Sequence, residues 1–205
     1  MCIRDRHRDN AAVTVAEVID TLNEFVDQGL VRCIGVSNWS AERLLEANAY
    51  AKQAGKTGFS ASQIQWSLAR CTPQMLGDET LVCMTDQIRR EYEEHQIPVM
   101  AYNAQAKGLF SKLAVMPEEQ LPDKVKRRFL SGPYREENLR RAARVMELSR
   151  RYGVSPAVVA IGYLTSQTLP AGAIVGCSSI AQLEDSMRAQ DFTLTAEEVA
   201  WLEEN

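Results

Sequence analysis

Apolar residues along this chain recur with two alternating periods. Between Thr14 and Gln28 they follow the spacing of a helix with one buried face, opened by the capping pair Thr14 and Glu17 and stopped at Gly29. Short continuous apolar runs, typical of buried strands, separate such helical stretches. Strands are predicted at residues 31–36, 59–66, 97–102 and 173–175. Helices are predicted at residues 14–28, 40–55, 80–96, 137–152 and 155–167, and after the capping residues Ser179 and Thr195.

Strand-helix units repeated in this order predict a parallel sheet, because a helical crossover is how one parallel strand reaches the next. Four strands are expected. Periodicity alone is compatible with an open doubly wound sheet and with part of a closed barrel. Residues 104–136 form a long polar insert with several prolines, and an insert of this length within a domain predicts a functional loop.

Composition narrows the classes of partner. The chain has 205 residues and 45% hydrophobic residues, which can bury one core but fall short of the roughly 250 residues of a complete eight-unit α/β barrel. The net charge is −4 and the Lys and Arg residues are dispersed, so neither nucleic acid nor an anionic membrane is favoured as a binding partner. Five scattered cysteines without a C-x-x-C spacing predict reduced thiols and no metal site. Without a signal sequence or an apolar span, the expected location is the cytoplasm.

Amide and hydroxyl side chains stand where two predicted strands end. Ser37 and Asn38 follow the run 31–36, and Gln63 lies 25 positions beyond Asn38, inside the next strand. The carboxyl ends of parallel strands share one face, where ligands bind. A primary carboxamide needs both donors and acceptors, so nicotinamide is the natural ligand for these three side chains. On spacing alone, capping of the following helix is the favoured interpretation of Ser37 and Asn38.

Four stretches in order resemble the aldo/keto reductase family, and the resemblance runs from about His7 to the end of the chain. The stretches are Val31-Arg32-Cys33-Ile34-Gly35-Val36-Ser37-Asn38-Trp39, Ser62-Gln63-Ile64-Gln65-Trp66-Ser67-Leu68, Ile97-Pro98-Val99-Met100-Ala101-Tyr102-Asn103, and Val175-Gly176-Cys177-Ser178-Ser179 leading into Gln182-Leu183-Glu184-Asp185. The resemblance implies a truncated (β/α)8 TIM barrel, roughly its second half, with parallel strands and outer helices. Residues 7–205 are then a partial barrel domain whose N-terminal half is missing. Residues 1–6 match neither an apolar strand nor the family pattern and are expected to be a non-native leader.

The resemblance also implies a cofactor, NADP or NAD, bound in extended form across the strand ends. It assigns Ser37, Asn38 and Gln63 to the carboxamide and Tyr102 to stacking on the nicotinamide ring, although a half-buried tyrosine at a strand end is common. It places the phosphates and adenosine at Asn103, Gln105, Lys107, Gly108, Gly176, Cys177, Ser178, Ser179, Gln182 and Asp185. Asp185 is equally compatible with an exposed helix acid, and the lack of a cation in 176–182 leaves the preference between NADP and NAD open.

On the catalytic side, the resemblance implies that His7 hydrogen-bonds a carbonyl or alcohol substrate. The family's Asp, Tyr and Lys come from the first three strand-helix units, which lie before His7, so we expect this chain to be a cofactor-binding half that is inactive alone. One alternative is a non-catalytic NAD(P)-binding regulatory module of the same fold. A serine hydrolase is disfavoured because Gly35-Val36-Ser37-Asn38-Trp39 ends in Trp39 where a nucleophile elbow requires glycine. The oligomeric state stays open.

Overall fold

The protein is described here from a computed structural model, which covers residues 3–204 and, for residues 3–6, the backbone only. Five parallel strands form one sheet in which each strand pairs with the next along the chain. The strands are β1 (Ile3–Arg6), β2 (Cys33–Ser37), β3 (Phe59–Gln65), β4 (Val99–Tyr102) and β5 (Ala171–Ala173). Their sequential order is that of a barrel wall, in contrast to the reversed order of a doubly wound sheet.

Helices connect the strands as the apolar periodicity predicts. They are α1 (Val15–Asp27), α2 (Ala41–Gln53), α3 (Pro73–Leu76), α4 (Asp86–Glu94), α5 (Leu109–Leu113), α6 (Asp123–Phe129), α7 (Arg135–Tyr152), α8 (Pro156–Thr165), α9 (Ile180–Met187) and α10 (Ala196–Glu203). Thr14 with Glu17, and Thr195 with Glu198, form the expected capping boxes. Among residues 3–204, no helix is long and apolar enough to cross a lipid bilayer.

The four predicted strands are present, the last of them two residues earlier than expected, at 171–173 instead of 173–175. The expected total of four was wrong, because residues 3–6 form a fifth strand that pairs with β2. Strand pairing uses backbone groups, so a polar segment at a sheet edge can join without an apolar signature. This strand lies inside the predicted leader, of which Met1 and Cys2 fall outside the described residues; the leader assignment stays a prediction.

Two further expectations were wrong in their bounds or form. The helix predicted from residue 80 begins only at Asp86, because the preceding residues bond to the end of β3: the Gln65 N–H donates to Val82 O and the Met84 N–H to Gln65 O, at 2.9 and 2.8 Å. Residues 104–136, predicted as a loop, contain α5, α6 and three short 3-10 turns. Val125 and Phe129 of α6 are buried, so this insert has an apolar face, and α6 packs against α3 and the turn at residues 106–108.

Asn138, on α7, joins the insert to the segment that follows β3. Its side chain is fully buried; its amide donates to Arg70 O at 2.8 Å and to Phe129 O at 2.6 Å, and its oxygen accepts from the Arg70 N–H at 2.8 Å. One fully buried amide therefore satisfies three backbone groups. This places α6 beside the carboxyl ends of the strands.

Replacing Asn138 with alanine is expected to lower the free energy of unfolding by about 3 kcal/mol, because three buried backbone groups lose their partner. Chemical denaturation measures the change. Arg140→Ala, at an exposed position of the same helix, is the matched control and should change the value by less than about 0.5 kcal/mol. Equal losses in the two variants would contradict this role for Asn138.

Candidate functional site

The polar residues of β2 and β3 lie side by side at the carboxyl ends of these strands. Ser37 is the register partner of Gln63, and the Asn38 N–H donates to Gln63 O at 3.0 Å. Adjacent strands are about 4.8 Å apart, so the two backbones are direct neighbours at this point. Ser37 is fully buried and Gln63 is half-buried. On the next strand, Tyr102 pairs with Gln65, which extends the same row of strand ends.

Asn38 is held in one orientation by hydrogen bonds on both sides of its amide. Its backbone is left-handed, with φ of 57°, and its side chain is buried. The amide oxygen accepts from the Val82 N–H at 3.0 Å and from the Tyr102 hydroxyl at 2.7 Å, while the nitrogen donates to Ser37 Oγ at 2.9 Å. The oxygen has no capacity left, and one amide hydrogen remains for a ligand. Asn38 can therefore act toward a ligand only as a donor.

Tyr102 is fixed by the same network. Burial raises the pKa of its hydroxyl, and the nearby Cys83 thiol raises it further, so the group stays protonated and keeps donating to Asn38. The ring sits at the end of β4, half-buried, beside Asn38. A ring held at its tip in this way presents a fixed aromatic surface.

The turn after β4 has an unusual backbone. Asn103, Ala106, Lys107 and Gly108 all have positive φ values, between 48° and 75°. For residues other than glycine this conformation costs about 1–2 kcal/mol each. The Gln105 amide donates to Ser186 Oγ at 3.0 Å, which ties the turn to α9. Among the predicted phosphate residues, Asn103, Gln105, Lys107 and Gly108 are therefore brought together at one strand end.

The segment 176–185 begins α9, at the end of β5. Two N–H groups of this segment are engaged locally: the Ser178 N–H donates to Gln182 Oε1 at 2.8 Å, and the Gln182 N–H donates to Ser179 Oγ at 3.2 Å. Gly176, Ser178, Ser179 and Gln182 are exposed, and Cys177 contacts Ser186 Oγ at 3.8 Å. The Asp185 carboxylate accepts from the Ser155 hydroxyl, so this acid has a structural partner on α8.

At the end of β1, His7 lies on the same face as the other strand ends and is exposed. Its neighbour Arg8 was missed by the sequence analysis. The Arg8 guanidinium pairs with Asp78 at 3.2 Å and is close enough to the Tyr102 hydroxyl to lower its pKa slightly against the effect of burial. The position of Arg8 next to His7 could have identified it from the sequence. Its contact with Asp78 could not, because the two residues are 70 positions apart.

The family model described as the aldo/keto reductase family matches residues 5–205 of this chain. The chain belongs to the aldo/keto reductase family. Two relatives from Emericella nidulans are an aldo-keto reductase, ausK, 26% identical over 208 residues, and a norsolorinic acid reductase, stcV, 24% identical over 199 residues. These matches cover 96% and 97% of this chain but 47% and 46% of the relatives. The chain therefore spans about half the length of the curated relatives it matches.

A solved structure shows the same fold as this aldo/keto reductase chain. A thermostable aldo-keto reductase in complex with the inhibitor epalrestat superposes with a TM-score of 0.69 at 17% identity, covering 98% of this chain and 58% of that one. At this identity the likeness establishes the fold alone. It identifies the five-stranded sheet as barrel-type, and the expectation of an aldo/keto reductase barrel architecture is confirmed at that level.

One cluster in this aldo/keto reductase chain contains an Asp, a Tyr and a Lys, the residue types expected of family catalysis, but it lies away from the strand ends that carry Asn38. Asp20 accepts from the Tyr50 hydroxyl at 2.9 Å and from the Lys56 ammonium at 2.6 Å. Tyr50 lies near the end of α2 and Lys56 just before β3, which places them at the amino ends of the strands, opposite to Asn38. The hydrogen bond to Asp20 raises the pKa of Tyr50, whereas a proton donor in catalysis requires a lowered one. This cluster is a surface contact between α1, α2 and the entry to β3.

Proposed function

We propose that this chain contributes the cofactor-binding part of an NAD(P)-dependent oxidoreductase, which transfers hydride between nicotinamide and a small carbonyl or alcohol substrate. The observation that carries the proposal is the row of Ser37, Asn38, Gln63 and Tyr102 at three adjacent strand ends. A hydroxyl, two carboxamides and a fixed aromatic ring are the groups that a flat ring with a primary carboxamide requires.

The donor set fits a nicotinamide group in detail. Asn38 has one amide hydrogen left, which suits the carboxamide oxygen of the ligand. The buried Ser37 hydroxyl accepts from Asn38 and so fixes the orientation of the Asn38 amide. Tyr102, anchored at its hydroxyl, would support one face of the ring. When bound, the cofactor supplies the hydride; these residues would set which ring face points to the substrate.

The substrate side of the proposal rests on His7, at the exposed end of β1, as the group that would hydrogen-bond the reacting oxygen. A second candidate for this chain by itself is a non-catalytic NAD(P)-binding module, because the contact among Asp20, Tyr50 and Lys56 lies at the end of the strands opposite to Asn38 and supplies no proton donor there. The four described cysteines are free thiols, which supports the proposal of a reducing, cytoplasmic location.

Titration of the 205-residue chain with NADPH and NADH, followed by nucleotide fluorescence, tests the proposal. We expect saturable binding of at least one nucleotide. Gln63→Ala should raise its Kd about tenfold, equal to about 1.4 kcal/mol, because a half-buried amide partner of the carboxamide is lost. Gln53→Ala, an exposed glutamine at the end of α2, is the matched control and should leave Kd unchanged. Absence of saturable binding, or equal behaviour of the two variants, would refute the assignment.

A further inference from the structure

Both edges of the described sheet are open, and they run in the same direction. The edge strands are β1 and β5, and every pairing between them is parallel. An edge strand presents a row of backbone N–H and C=O groups that can pair with another chain. Because both edges belong to one parallel sheet, the β5 edge of one chain has the direction required to form a parallel pair with the β1 edge of another.

The helix that follows β5 carries an apolar face that the described part of the chain leaves exposed. Ile180, Leu183 and Met187 form this α9 face, at a spacing of three and four residues. The other side of the segment is packed, because Ala189 is buried against Val158 of α8. One side of α9 is therefore fixed to the fold while the other is available to a partner.

The helix that follows β1 carries a second such face. Val18, Thr21, Leu22 and Phe25 form this α1 face, at positions i, i+3, i+4 and i+7 of the helix. The first three line a surface groove, and Phe25 is exposed. On the far side of α1, Asp20 bonds to a tyrosine of α2, against which α1 packs. Each edge strand of the sheet is thus followed by a helix with an uncovered face.

The charges beside the two faces determine which of them can meet. Three acids, Glu17, Asp20 and Glu24, lie along the groove of the α1 face. Two α1 faces in contact would bring these acids together, and like charges placed opposite one another are unfavourable at an interface. The α9 face is bordered by one acid and one cation, Glu184 and Arg188, both exposed. Contact between an α1 face and an α9 face therefore avoids the repulsion and covers both apolar surfaces.

We propose that two copies of this chain associate about a twofold axis that runs along the strands, with the α9 face of each copy on the α1 face of the other. Rotation about such an axis preserves the strand direction, so β5 of each copy can pair in parallel with β1 of its partner. The same contact is made twice, which closes the assembly. Helices that follow neighbouring strands then lie side by side, as they do in the outer ring of an α/β barrel.

The test uses one double variant on each face. The α9 variant is Leu183→Glu with Met187→Glu, and the α1 variant is Thr21→Lys with Phe25→Lys; all four positions are exposed. By light scattering after size exclusion, the unmodified chain should give about twice the chain mass of 22.9 kDa. Each variant alone should give the mass of the single chain, because it places unpaired charges in both contacts. We expect the Kd of association to rise at least about tenfold in each.

An equimolar mixture of the two variants should return to about twice the chain mass. In the mixed pair, one contact sets the introduced carboxylates against the introduced ammonium groups, and the other contact is unmodified. We expect its Kd to lie within about fivefold of that of the unmodified chain. As the matched control, a mixture of Val115→Glu with the α1 variant should leave the α1 variant as a single chain, because Val115 belongs to neither face.

Three results would overturn this assembly: a single-chain mass for the unmodified protein, an α1 variant that keeps the double mass, or a mixture that stays at the single-chain mass. The second of these is the result expected if two α9 faces contact each other. Circular dichroism of each variant verifies folding, and the single substitutions Phe25→Lys and Met187→Glu provide a second complementary pair if a double variant fails to fold. Nucleotide titration of the same samples reports separately on the proposed function.

Discussion

Asn38→Ala is expected to lower the free energy of unfolding by about 3 kcal/mol and to weaken nucleotide binding with it. The substitution leaves the Val82 N–H and the Tyr102 hydroxyl without their acceptor, each at a cost of about 1 kcal/mol or more. It also places alanine at φ of 57°, which adds about 1 kcal/mol. Chemical denaturation gives the stability, and NADPH fluorescence gives the Kd.

Two variants separate these contributions. Asn103→Ala puts alanine at nearly the same backbone angle, φ of 56°, and should show the conformational cost of about 1 kcal/mol. Asn38→Asp keeps the oxygen that accepts from Val82 and Tyr102, so it should lose less stability than Asn38→Ala. If Asn38→Ala and Asn103→Ala were equally destabilised, the hydrogen-bond network around Asn38 would have no measurable energetic role.

The 205-residue chain is expected to self-associate through the apolar surface beside β5. In the described sheet, β1 and β5 are edge strands, with backbone groups open to pairing. Next to β5, Ile180, Leu183 and Met187 are 76%, 46% and 51% exposed, and their spacing of three and four residues places them on one face of α9. Light scattering after size exclusion should give at least twice the chain mass of 22.9 kDa.

The double substitution Leu183→Glu with Met187→Glu should shift this equilibrium to the single chain, because it places charges on the associating face. Val115→Glu is the matched control: Val115 is 77% exposed but lies on the insert and not on α9, so its variant should keep the larger mass. A single-chain mass for the unmodified protein, or the same shift in both variants, would contradict association through this face.

Local chemistry explains which elements were predictable. Five helices begin at a residue whose side chain accepts a hydrogen bond from the backbone N–H three positions later. These capping residues are Thr14, Ser40, Ser155, Ser179 and Thr195. Such bonds depend on neighbours in sequence, so the sequence alone located them. The strand that carries Gln63 was also found with nearly correct bounds, 59–65 against the predicted 59–66.

Elements held by distant partners were not predictable in the same way. Residues 80–85 do not continue into α4 because Val82 and Met84 bond to Gln65. The strand at residues 3–6 forms by pairing with the edge of β2, and the polar sequence of residues 3–6 gives no local signal of that pairing. Arg128 stood out only in three dimensions, where its Nε is buried without a hydrogen-bond partner among the described residues.

The sequence by itself determined the alternation of strands and helices, the caps, and the polar side chains at the strand ends, because each depends on periodicity or on residues a few positions apart. Only the tertiary structure decided that the Asn38 side-chain oxygen accepts hydrogen bonds from both Val82 and Tyr102. These contacts join residues 44 and 64 positions apart, and their geometry follows from how the strands pack, which no local pattern encodes.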